Sequence, residues 1–377
     1  MVRASPPLTS AATRGDVETV LGRSFSEREY LAMNPDVRAG VAAGEFKSGR
    51  HHFEVFGHTE GRLGRQPETE MFFGEQPVDE HALPAYRAEH FPYAGPHPWL
   101  DRPEWRQLLE ERVRRGELTA DDALGCRFWA EHGYLILKGV VSDRLLDESW
   151  SAYEAAVLEG KIKLPEDKVG EDDPWPGRFL DPHLTVPEFC PVMRHPEVLR
   201  WVRILMDREP APFQTIASHK GTQQGAHSDS IHMTTYPLGY LTAAWVAFED
   251  IHPDSGPLVY YPGSHRLPYV FSRDVGIQPG EFAAAGYESY LEKYEPFIRD
   301  LLAKHHCEPS YFHARKGDLL IWHANLIHGG APRRDLRRSR RAMVSHYFVK
   351  GAVTYHDLAS SAARPHLGTC LLRGQTA

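Results

Sequence analysis

From residue 133 onward the chain alternates short apolar runs with turn residues. GYLILKGVV, at 133–141, predicts a strand, and Ser142 follows it as a helix N-cap. Leu146, Trp150, Tyr153 and Val157 then recur at helical spacing and predict a helix that stops near Gly160. After residue 210 strands and turns dominate, in FQTIASHK, LTAAWVAFED, PLVYYPGSH, GDLLIWHANLIHGG and RRAMVSHYFVK. Short strands separated by turn residues predict a β-barrel or jelly roll with helices on its outside, an α+β chain overall.

The N-terminal part reads differently. Residues 1–22 read as a flexible tail, and residues 23–67 as a small all-α module. Ser26 and Glu29 form the S-x-x-E pattern of a capping box ahead of Tyr30 and Leu31. Asn34-Pro35 ends that helix and starts another, with Pro35 at its first position; Val37 and Val41 share a face, and Gly44 is a stop. HHFEVFG predicts a third short helix before Gly57. Residues 68–117, with a stretch rich in Pro, His and acidic residues, read as a linker or wrapping segment, and 118–377 as the main domain.

Composition narrows the class more than it changes this picture. The 377 residues suffice for one large domain or two to three smaller ones. A formal charge of −8 counts against a nucleic-acid partner, and no apolar run reaches the ~18 residues of a membrane span. MVRASPPLTSAATRGD has no apolar core of a secretory signal. Cys126, Cys190, Cys307 and Cys370 fit neither a CxxC zinc site nor a disulfide framework, which points to a reduced, cytoplasmic setting.

Candidate chemistry begins at GAHSDSIHM, residues 225–233. His227 and Asp229, two apart, would share one face of a strand. Facing a barrel interior, an imidazole beside a carboxylate needs a partner, either a metal ion or a hydrogen bond. The second cluster is GDLLIWHANLIHGG, where a strand leads to His323 and His328. One of these with His227 and Asp229 makes two imidazoles and one carboxylate, the facial set of non-haem Fe(II) oxygenases. Thiolates would instead favour zinc or iron–sulfur.

These segments, from about residue 118 to 350, resemble the phytanoyl-CoA dioxygenase family of Fe(II)/2-oxoglutarate dioxygenases. The matching pieces are GYLILKGVVS, H-S-D at 227–229, WVAFEDIHPDSGPL at 245–258, PGSH at 262–265, GDLLIWHANLIHGG and the RRAMVSHYF strand. The resemblance implies a double-stranded β-helix, the cupin-like jelly roll, with His227, Asp229 and His328 as iron ligands. It also implies 2-oxoglutarate and O2 as co-substrates and an arginine for the far carboxylate of 2-oxoglutarate. Many members carry that arginine eleven residues after the distal histidine, where this chain has Ser339. Aligning on the following strand selects Arg340, with Arg338 and Arg341 as rivals. Gln214 and Trp245 match positions that line the co-substrate pocket in relatives; each is equally well read as scaffold. His232 reads as a pocket wall or core residue and His265 as structural, while His219, His252 and His346 receive no role.

The function implied is hydroxylation of an unactivated C–H bond, releasing succinate and CO2. The carboxylate ligand Asp229 favours this over halogenation and leaves desaturation or epoxidation open. A zinc hydrolase and a non-catalytic metal-binding barrel are the rival classes. The substrate reads as a small molecule or one linked to a glycan or lipid, met by residues within 170–182 and 230–236, chiefly Trp175, Arg178 and Tyr236. Residues 23–67 also resemble a helical module attached to bacterial glycan-modifying and secreted proteins, which implies a protein or glycan contact; a spacer is the simpler alternative.

Overall fold

The computed structural model describes residues 25, 27–57, 86–93, 97–162, 178–278 and 281–358. The tail 1–22, the cap at Ser26 and Trp175 lie outside them. The chain divides into two units, Met1–Glu70 and Met71–Ala377.

In the first unit, helices Glu27–Met33, Pro35–Ala42 and Gly49–His52 enclose Phe25, Tyr30, Val37 and Phe53, all buried. Pro35 opens the second helix, where its missing N–H is no loss. The Glu27 carboxylate accepts from Gly49 N and Arg50 N at 2.7 and 2.8 Å, satisfying donors that the start of the third helix leaves open.

The described residues of the second unit form eleven strands: β1 (Tyr134–Leu137), β2 (Phe179–Leu180), β3 (Pro210–Ser218), β4 (Thr234–Tyr236), β5 (Thr242–Ala247), β6 (Leu258–Tyr260), β7 (Ser310–Phe312), β8 (Leu319–His323), β9 (His328–Gly330), β10 (Ala342–Val349) and β11 (Val353–Tyr355). An antiparallel sheet runs β1-β8-β5-β10-β3-β2; a smaller one runs β7-β6-β9, and β4 pairs with β11. Period-two alternation sorts the large sheet into two faces. Ala243, Trp245, Ala247, Leu320 and Trp322 pack with Leu258, Tyr260 and Phe312 of the small sheet. Ala244, Val246, Leu319, Ile321, Met343 and Tyr347 face the other way, into a core shared with helices.

Those helices follow local signals. Ser142 caps Asp143–Leu158 by accepting from Leu145 N, and Leu146, Trp150 and Tyr153 are buried along it. Thr119 and Asp122 form a reciprocal capping box on Ala120–His132. That helix ends at Gly133, whose φ of 80° and whose contact with the His265 ring, 2.4 Å from a Cβ placed there, both require glycine. Within the 68–117 segment, Trp99, Leu100, Trp105 and Leu109 are buried in the main core, so from residue 99 that segment contributes packing as well as connection. No helix among the described residues is long and apolar enough to cross a membrane.

Candidate metal centre

The segment at His227 meets the first residue of β9 in an antiparallel bridge. His227 N donates to His328 O and His328 N to His227 O, each at 2.9 Å. Such a pair draws two backbones together, so histidines far apart in the chain have ring centroids 4.5 Å apart. Gly329 and Gly330 allow the approach. A Cβ on Gly329 would lie 2.7 Å from Gln224 O, and one on Gly330 2.6 Å from Thr222 Oγ1. Segment 222–225 lies flush on β9 because neither carries a side chain.

The stretch 227–229 is not the strand its alternation predicts. Ser228 is extended, which keeps residues 227 and 229 on one side, but Asp229–Ile231 is a 3-10 turn. Ser228 Oγ accepts from Ser230 N, and both hydroxyls donate to Ala324 O, at 3.2 and 3.1 Å. These side-chain bonds replace ladder pairing.

Ligand atoms of His227, Asp229 and His328 lie within 4.8 Å of one another, and all three residues are buried. Among the described residues this is the one such group of His, Cys, Asp or Glu. His227 Nε2 and His328 Nε2 are 3.8 and 3.6 Å from Asp229 Oδ1. Each ring commits Nδ1 to a carbonyl two residues earlier, Gly225 O and Leu326 O, both at 2.9 Å. A carbonyl only accepts, so Nδ1 carries the proton and the Nε2 lone pair faces the carboxylate. Gln224 Nε2 sits 3.2 Å from the His227 lone pair, in the place a metal would take. Asp229 is divided in the same manner: Oδ2 accepts from Trp322 Nε1 at 2.7 Å, leaving Oδ1 for the centre. The donor set therefore fits a divalent ion with the Fe(II) preferences of imidazole and carboxylate.

Electrostatics agree with that assignment. Burial, reinforced by His328, brings the His227 imidazole down to about 3, so it is neutral at neutral pH. Burial alone would push Asp229 up, but His328, His346 and His227 outweigh it and hold the carboxyl well below its usual range.

The three residues open into a cavity of about 310 Å³ whose wall also includes Gln214, Trp245, Val344, His346 and Arg340. Arg340 is 3% exposed. Its Nη2 reaches Lys220 O at 3.5 Å, its Nε has no hydrogen-bond partner, and its guanidinium carbon lies 5.5 Å from the Trp245 ring centroid. Burial pulls it down to about 10 despite the opposing charge of Glu249. Its rivals are engaged elsewhere: Arg338 pairs with Asp335 at 3.3 Å and Arg341 with Glu154 at 3.1 Å.

Other candidates divide cleanly. His323 bonds Asp101 at 3.0 Å and packs on Trp129, away from the ligand cluster. His232 lines the cavity, whereas His265 is buried in the core against Ala130 O. Arg178 lines the cavity, but Tyr236 does not: it sits on the β4–β11 ribbon and stacks on Tyr86. Trp322, His346 and Gln224 touch the clustered trio, and none of them was given a role from the sequence. For His346 a signal exists, since it continues the alternation Val344–His346 that begins beside Arg340. Trp322→Phe keeps the packing and deletes the donor to Asp229. Fe(II) affinity, titrated without oxygen, is expected to fall about 10–100-fold with the circular dichroism spectrum unchanged.

The phytanoyl-CoA dioxygenase (PhyH) family profile matches residues 129–342, a span holding all three clustered residues and Arg340. The chain belongs to the phytanoyl-CoA dioxygenase family. It is 21% identical over 260 residues to the peroxisomal phytanoyl-CoA dioxygenase of Bos taurus, covering 63% of this chain and 71% of the relative. With the Mus musculus enzyme it shares 23% identity over 313 residues, 76% of this chain and 79% of the other. Among solved structures, EctD from S. alaskensis with 2-oxoglutarate and 5-hydroxyectoine aligns with a TM-score of 0.50 at 16% identity, covering 68% and 86%. That likeness supports the fold, a double-stranded β-helix with flanking helices. As a phytanoyl-CoA dioxygenase family member the chain is a dioxygenase of the iron- and 2-oxoglutarate-dependent class.

Proposed function

We propose that the protein is an Fe(II)- and 2-oxoglutarate-dependent hydroxylase of a small molecule, with His227, Asp229 and His328 as the iron ligands. The observation that carries this is the prior commitment of both Nδ1 atoms and of Asp229 Oδ2, which leaves two ring nitrogens and one oxygen directed at one point. When bound there, iron with 2-oxoglutarate and O2 supplies the oxidation of an unactivated C–H bond, with succinate and CO2 as the other products.

The chain's own residues supply position and charge. Arg340, buried without a carboxylate partner among the described residues, suits the far carboxylate of 2-oxoglutarate, which a guanidinium holds bidentately. The Trp245 face and the Gln214 amide bound the space beside it and restrict both water and the direction of the chain. Asp229 occupies, as a ligand, the position that a halide would need, which favours hydroxylation over halogenation.

Protein loaded anaerobically with Fe(II) is expected to develop a visible charge-transfer band on adding 2-oxoglutarate, and to release succinate in air. A zinc hydrolase would give neither, and a non-catalytic barrel would bind metal without succinate. Absence of both signals in iron-loaded protein would discard the reading.

A further inference from the structure

Among the described residues, the cavity lining contains more positive charge than the proposed chemistry consumes. If the assignments above hold, a divalent ion and Arg340 are balanced by Asp229 and the two carboxylates of 2-oxoglutarate. A second guanidinium then remains. Arg178 is exposed yet lines the same cavity, and its Nη1 donates to Gln224 Oε1 at 3.1 Å. The other end of that amide is 3.2 Å from His227 Nε2, so a single glutamine side chain spans from Arg178 to the metal-site histidine. No ion pair engages Arg178 among the described residues.

Around it the outer lining mixes apolar side chains with the half-buried Thr222, Gln224, His232 and His356. Leu180, 55% exposed, and Tyr287, 49% exposed, line the cavity with Met233, whereas the ligand residues, Trp245 and Arg340 are buried. The lining is thus graded, from a buried floor to a more open rim that carries one arginine beside the apolar Leu180, Met233 and Tyr287.

We propose that Arg178 is a specificity-determining residue that selects a substrate with one anionic head group, a carboxylate or a phosphate monoester, whose apolar part lies on Leu180, Met233 and Tyr287. This rests on the iron and 2-oxoglutarate reading above. Pairing at the rim holds the head group away from the metal and leaves the carbon chain to extend toward His227, Asp229 and His328.

The test uses the full chain loaded with Fe(II) and 2-oxoglutarate without oxygen. Matched probes are added while the visible band is read: hexanoate against hexanamide, 3-phenylpropanoate against its amide, octyl phosphate against octanol. An anionic probe is expected to shift the band, and its neutral partner to need about 10–100-fold higher concentration, as for loss of one charge-assisted hydrogen bond. Arg178→Gln is expected to erase that difference while still forming the 2-oxoglutarate band; Arg178→Lys restores part of it. Arg178 is exposed, so neither change should disturb folding. Neutral probes acting as well as anions, no anionic probe shifting the band, or a preference that survives Arg178→Gln each overturns the proposal. A wild-type protein that forms no 2-oxoglutarate band before any probe is added overturns the underlying reading, and this one with it.

Discussion

Asp229→Ala protein is expected to bind Fe(II) more than about 100-fold more weakly than wild type and to release no succinate above background. Loss of a partner that merely orients a ligand costs about 10–100-fold in metal affinity, so loss of the ligand itself should exceed that range. Asp229 contributes the only anionic group of the three, and what remains is a pair of imidazoles with ring centroids 4.5 Å apart. The alanine also leaves Trp322 Nε1 buried without an acceptor, which by itself destabilises by about 1–3 kcal/mol. Asp229→Asn separates the two effects. Its amide oxygen can still accept from Trp322, so thermal stability should stay near wild type while metal binding fails. Wild-type iron affinity in Asp229→Asn, measured by anaerobic titration, would sink the ligand assignment.

What could be read in the chain and what could not follow one physical division. Features set by local pattern were legible: the cap at Ser142, the helix through Trp150 and Tyr153, and the alternation of β5, β8 and β10. The clustering of His227, Asp229 and His328 matches the H-x-D motif and the glycines after His328, whose bare backbone admits segment 222–225. The strand expected at 227–229 failed because Ser228 Oγ accepts from Ser230 N and Asp229 O from His232 N, which closes a turn instead of a ladder. Trp322 and Gln224 were out of reach for another reason. Their roles exist only across the barrel, where an indole N–H meets Asp229 and an amide meets His227, and no spacing in the sequence encodes those meetings. Tyr236 shows the converse: proximity in sequence to the ligands placed it near the site, but pairing of β4 with β11 carries it to Tyr86. His323 and His328 differ in the same way. His323 ends β8 and His328 opens β9, and only the one bridged to His227 reaches the cluster.

Arg340→Gln is expected to raise the concentration of 2-oxoglutarate needed for half-maximal band formation by about 30-fold or more, with Fe(II) affinity unchanged. Truncating one side of a buried, hydrogen-bonded charge pair costs about 2–5 kcal/mol, and each 1.4 kcal/mol is tenfold. The structure adds a second, independent expectation. With no 2-oxoglutarate bound, Arg340 is an almost wholly buried cation whose Nε has no partner and whose ionisation burial already disfavours. Replacing it by a neutral side chain relieves that desolvation, so the thermal midpoint without co-substrate should hold or rise. Added 2-oxoglutarate should stabilise wild type and leave the variant nearly unmoved, since a ligand shifts stability only as far as its concentration exceeds its dissociation constant. Arg340→Lys keeps the charge but not the planar fork and should fall between the two. Equivalent substitutions at Arg338 and Arg341, which pair with Asp335 and Glu154, should leave 2-oxoglutarate titrations where wild type has them. A variant at 340 that binds 2-oxoglutarate as tightly as wild type would move the anchor to another residue and leave the buried guanidinium without a use.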